Sequence, residues 1–111
     1  MTEVKSVLRE LGVSAKYKGV NPTAIAVKLV IDEEERLHHV TDSIYGAVSA
    51  QCGIPWKTIE RNIRTVVKRA WRCNASRLRA MAGYPLDDAP PASEFIEILA
   101  NWIQRNGGIK D

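Results

Sequence analysis

Lys57, Arg61, Arg64 and Lys68 recur at i, i+4, i+7 and i+11. At about 3.6 residues per turn they share one helical face, while Ile59, Ile63, Val66, Val67 and Ala70 share the other. A solvated surface helix ordinarily mixes both signs of charge. Here the mixture is missing: from Ile54 to Ala80 there are eight basic residues and one acid, Glu60, a net charge of +7. The rest of the 111-residue chain holds eight basic and twelve acidic residues, a net −4. The overall +3 is therefore the near-cancellation of a polarised distribution. A row of cations backed by an apolar face is the electrostatic footprint of a phosphate-binding surface.

Other groupings carry less chemistry. His38, His39, Cys52 and Cys73 include no CxxC pair, and adjacent histidines point apart, so no metal site is expected. Asp32 to Glu35 reads as a solvated helix end rather than a pair of catalytic carboxylates. There is no glycine-rich phosphate loop. Neither an enzyme nor a cofactor is expected.

The elements that must hold the cations are helical. Val4, Val7, Leu8 and Leu11 mark a first helix stopped by Gly12. Pro22 suits the first position of a second, whose segment Thr23 to Ile31 is apolar enough for a buried strand. One strand without partners is unstable, so a buried helix is expected, running into the charges of Asp32 to Arg36. A third helix spans Thr41 or Asp42 to about Cys52, and a fourth Pro55 or Trp56 to Arg72. Asn74 caps a short fifth helix ending at Gly83. Ser93 caps a sixth that carries Phe95, Ile98, Leu99 and Trp102 and stops at Gly107-Gly108. The expected fold is all-α, six helices in one domain over residues 1–111. No apolar run is long enough for a membrane helix. Two cysteines without an export signal fit a reducing cytoplasm.

The third and fourth helices fit a helix-turn-helix, about 41–72, with the recognition helix at about 56–72. The motif needs a small residue where its helices cross, supplied by Ser49, and a glycine turn, supplied by Gly53. Val48, Cys52, Ile54 and Ile59 fill inner apolar positions. The fifth such position falls on Asn62, a mismatch, with Ile63 beside it.

The stretch Lys57-Thr-Ile-Glu-Arg-Asn-Ile-Arg-Thr-Val-Val-Lys-Arg-Ala-Trp71 resembles the recognition helix of a known family, the C-terminal DNA-binding effector domain of the sporulation master response regulator. Glu60-Arg61, Ile63-Arg64 and Ala70-Trp71 stand at that family's spacing. Leu11-Gly12-Val13, Lys18-Gly19, Val40-Thr41, Tyr45, Gly83-Tyr84 and Ser93-Glu94-Phe95-Ile96 resemble its other elements in order, so the likeness covers nearly the whole chain. It implies a six-helix fold, binding to duplex DNA, commonly as two copies in tandem, and transcriptional control through RNA polymerase. Two departures stand out. This chain has no room for the family's receiver domain, so a stand-alone relative or an excised piece is expected. One of the family's base-reading arginines falls on Thr58, so the preferred DNA sequence is expected to differ.

Arg61 and Arg64 are the leading candidates for base readout, since arginine can bond guanine O6 and N7 in the major groove. Glu60 either accepts from a cytosine amino group or pairs with Arg64 one turn on. Lys57 and Thr58 stand at the helix start, near bases or phosphates. Lys68 lies about 10 Å along the axis beyond Arg61, where the helix leaves the groove. Lys68 and Arg72 are therefore assigned to phosphates, with Arg69, Arg77 and Arg79 behind them. Trp56 and Trp71 are expected to pack rather than stack on bases. On the last helix Ile96 and Ile103 widen the apolar face, as a contact with a second copy would require. That surplus also defines the rival reading, a helical protein-interaction module without DNA binding.

Overall fold

The computed structural model describes residues 2–106, and the fold is all-α. The order is α1 (Thr2–Glu10), α2 (Val20–Asp32), a 3₁₀ turn (Glu34–His39), a π-wound turn (Val40–Tyr45), α3 (Gly46–Cys52), α4 (Trp56–Ala82) and α5 (Ala92–Arg105). The terminator Gly107-Gly108 lies outside the described residues. Among those residues no helix is long and apolar enough to cross a membrane.

Val4, Val7, Leu8 and Leu11 of the first segment are all buried. The chain then reverses at Gly12, φ +90°, with Gly12 N–H bonded to Arg9 C=O and Val13 N–H to Leu8 C=O. This pair of bonds closes the orphan carbonyls of the last turn. The strand-or-helix ambiguity of the second segment has a plain cause. Val20, Pro22, Ala24, Ala26, Val27 and Val30 are buried around most of the circumference, because α2 packs against α1, α3, α4 and α5. It starts two residues before Pro22 and ends at Asp32, where Glu33 turns extended (φ −145°, ψ 95°). The charges of 34–36 thus belong to a separate turn.

The third expected helix forms from Val40 to Cys52, but its first part is π-wound, with Gly46 N–H bonded to Thr41 C=O. The wider turn carries Ile44 and Tyr45 into the core. The fourth and fifth helices run on as one element, α4, broken at Asn74 (φ −155°, ψ 60°). Asn74 caps as expected: its Oδ1 accepts from Arg77 N–H at 3.3 Å, and its Nδ2 donates to Glu10 C=O at 3.0 Å. The break separates a long first arm, 56–73, from a short second arm, 75–82.

Two expectations about α5 are corrected. The helix begins at Ala92 with Pro91 extended before it and no side-chain cap, so Ser93 lies inside the first turn. Ile96 and Ile103 are 0% and 1% exposed, packed in the core with Phe95, Ile98 and Leu99. A contact with a second copy through them is excluded by burial, because α5 presses its wide face on both α2 and α4.

Candidate nucleic-acid interface

The helix-turn-helix is built as its residue types demand. Ser49 Oγ donates to the Ile54 carbonyl, which pins the turn to α3. Gly53 takes φ +69°, a left-handed conformation natural to glycine, and its N–H bonds Ser49 C=O at 2.8 Å. Pro55 is extended (φ −55°, ψ 144°), and its carbonyl accepts from Thr58 and Ile59 N–H, opening α4. Val48, Ile59 and Ile63 are fully buried, and Cys52 and Ile54 pack on the same core.

A close backbone crossing lies at the Asn62 mismatch. The loop before α2 crosses α4 at this point, and a Cβ on Gly19 would overlap the Asn62 carbonyl oxygen and lie 2.6 Å from Val66 Cγ2. Asn62 itself is half-buried, while its neighbour Ile63 is fully buried.

Burial of Ile59, Ile63, Val66, Val67 and Ala70 fixes the rotation of the first arm. Lys57, Arg61, Arg64, Lys68 and Arg72 are consequently all exposed. Thr58 and Glu60 are half-buried at the edges of this stripe. Glu60 Oε1 lies 3.3 Å from Arg64 Nη2, an i,i+4 pair. Among the described residues Arg61, Lys68 and Arg72 engage no carboxylate.

The other three cations assigned to phosphates are engaged within the protein. Arg69 Nε donates to Gly12 C=O at 3.2 Å, and its guanidinium lies 5.5 Å from the Tyr17 ring centre. Arg77 pairs with Glu10 at 3.0 Å and lies over Trp102 at 5.3 Å. Arg79 donates to Leu86 C=O at 2.9 Å and stacks on Trp71 at 4.7 Å. These contacts tie α4 to α1, to the loop after it and to α5. Trp71 packs, as expected. Trp56 does not: it stands 38% exposed at the start of α4 with the Lys57 ammonium 5.8 Å from its ring centre.

One feature had no sequence signal beyond Pro90-Pro91. A groove of about 370 Å³ runs between the first arm and the start of α5, lined by Tyr45, Glu60, Arg64, Lys68, Pro91 and Ser93 among others. Tyr45 is 4% exposed. Burial pushes its phenol pKa up, the nearby Glu60 carboxylate adds to this, and Arg64 opposes it. Its hydroxyl makes no hydrogen bond among the described residues. Nowhere among those residues do three His, Cys, Asp or Glu side chains gather as a metal site. The family model described as "Sporulation initiation factor Spo0A C terminal" matches residues 4–103 of the chain.

Proposed function

Because the chain belongs to the Spo0A C-terminal family, a family of DNA-binding effector domains in transcription regulation, we propose that it binds duplex DNA sequence-specifically through the first arm of α4. The observation that carries this reading is the exposed stripe of Lys57, Arg61, Arg64, Lys68 and Arg72 on the second helix of a helix-turn-helix. An arm docked in the major groove brings Arg61 and Arg64 to base edges, with Lys57, Thr58 and Glu60 beside them. The Glu60 carboxylate orients Arg64 and keeps an oxygen for a cytosine amino group. Lys68 and Arg72, farther along the axis, meet phosphates. Trp56 joins the front of the interface, because a large exposed apolar ring there can cover a thymine methyl or a sugar. A second copy on a tandem site and contact with RNA polymerase complete the reading.

The rival protein-interaction module rested on a surplus apolar face of α5, and the burial of Ile96 and Ile103 removes that face. Selection of bound sites from a random duplex library at physiological salt tests the proposal and should return an enriched motif. On that motif Arg61→Ala should cost about 1–3 kcal/mol and relax preference at one position. Unchanged affinity and preference in a gel-shift titration of this variant would remove Arg61 from base readout.

A further inference from the structure

The groove between the first arm of α4 and the start of α5 lies on the flank of the cationic stripe, and between apolar walls that include Val67, Ala89 and Pro90 it gathers several hydrogen-bond donors. We infer that it seats one phosphodiester of the duplex backbone, an inference that rests on the DNA-binding reading above.

Three observations converge. First, α5 is a 14-residue helix whose N-terminus has no side-chain cap, since Pro91 precedes it. Phe95 N–H bonds Pro91 C=O, so the N–H groups of Ala92, Ser93 and Glu94 are the orphan donors of the first turn. Orphan donors and the helix dipole together favour an anion. Second, Tyr45 is more than nine-tenths buried, lines the same groove, and has a hydroxyl with no partner among the described residues. A phenol whose pKa is raised stays protonated and able to donate. Third, Lys68 stands on the opposite wall, one turn beyond the base-reading Arg64. Glu60, the one carboxylate on the lining, is held by Arg64 at 3.3 Å.

The location suits a backbone phosphate. Lys68 lies about 10 Å beyond Arg61 along the helix axis. An arm reading bases at Arg61 has a phosphate ridge beside it over that span. A neutral hydroxyl, free backbone N–H groups and one ammonium would then clamp a single phosphate and set the docking angle of the arm, carrying no base information.

Ser93→Asp tests this without threatening the fold. A carboxylate in the first turn of a helix stabilises the helix while occupying the donors and repelling phosphate. The melting temperature should hold or rise, and affinity for selected and random duplexes alike should fall about tenfold, with the salt slope shallower by about one. Tyr45→Phe should weaken binding several-fold and leave the slope alone. A scan of single methylphosphonate substitutions across the selected site should find one position where the wild-type protein loses affinity and the Ser93→Asp variant does not. Wild-type affinity and slope in Ser93→Asp, or inorganic phosphate protecting the groove while duplex binding ignores Ser93→Asp, would overturn the assignment. Either result leaves the base-reading role of Arg61 standing, because that is scored on site preference alone.

Discussion

Lys68 and Arg69 are neighbours with the same charge, yet a turn of about 100° separates their side chains and their surroundings. Lys68 is exposed on the stripe, whereas Arg69 is half-buried and bonded to Gly12, 57 residues away in the chain. Periodicity in the sequence distinguishes a cationic face from an apolar one, and it correctly gathers Lys57, Arg61, Arg64 and Lys68. It carries no sign of a partner that lies far along the chain, so it does not reveal that Arg69, Arg77 and Arg79, expected at phosphates, bond Gly12, Glu10 and Leu86 within the protein. Trp56 illustrates the same limit in reverse: its type suggests packing, but its place just after Pro55 leaves it in solvent. The two neighbours should therefore fail in opposite ways. Arg69→Ala removes a charged hydrogen bond to a carbonyl and a stacking contact, and should destabilise the fold by about 1–3 kcal/mol in urea unfolding. Its salt slope on DNA should stay that of the wild type. Lys68→Ala should leave the unfolding midpoint within about 0.5 kcal/mol and lower the slope by about one, weakening all duplexes alike. A slope change in Arg69→Ala as large as that in Lys68→Ala would place Arg69 among the phosphate contacts.

Among elements, the readable features are those coded locally. Gly53, Gly12 and the Asn74 cap each announce a chain reversal or a break by residue type, and the structure has a turn or break at each. The π-wound turn before α3 has no such code, although it carries both Ile44 and Tyr45 into the core. The close passage of the first loop over α4 is also tertiary. Gly19 has an ordinary helical φ of −80°, so its necessity is invisible until α4 is placed against it. This yields a comparison between two glycines. Gly53 has a positive φ but open space around its missing side chain. Gly53→Ala should cost about 1 kcal/mol from the left-handed backbone. Gly19→Ala has no such strain but drives a methyl into the Asn62 carbonyl and Val66, where backbone cannot yield cheaply. It should cost about 2–3 kcal/mol, by the overpacking of a tight core. Equal shifts in the denaturation midpoint, or a larger one at Gly53, would mean that the loop can lift away from α4.

At the scale of the whole molecule the controlling quantity is the separation of charge. The +7 segment, 54–80, supplies the stripe, and the −4 remainder includes the run Asp32 to Glu35 on and beside the 3₁₀ turn. Within that run Asp32 is paired with Lys28 and Glu33 with Arg36, each at 2.9 Å. Glu34 and Glu35 are exposed and engage no cation among the described residues. The molecule measures 33 × 29 × 24 Å. The screening length is about 8 Å at 0.15 M salt and about 30 Å at 0.01 M, so it spans the molecule only in dilute salt. The turn packs mainly on α2 and the Val40–Tyr45 turn. Replacing both residues, Glu34→Gln with Glu35→Gln, should therefore leave duplex affinity unchanged within about twofold at 0.15 M and raise it clearly at 0.01 M. The gain at low salt should appear in the association rate, because repulsion of this range acts on the approach of the duplex and not on the docked contacts. Filter-binding titrations and stopped-flow association at the two salt concentrations measure both quantities. An equal gain at both concentrations would show that the acidic turn touches the bound duplex, and the docked geometry would then have to be turned to bring that turn against the DNA.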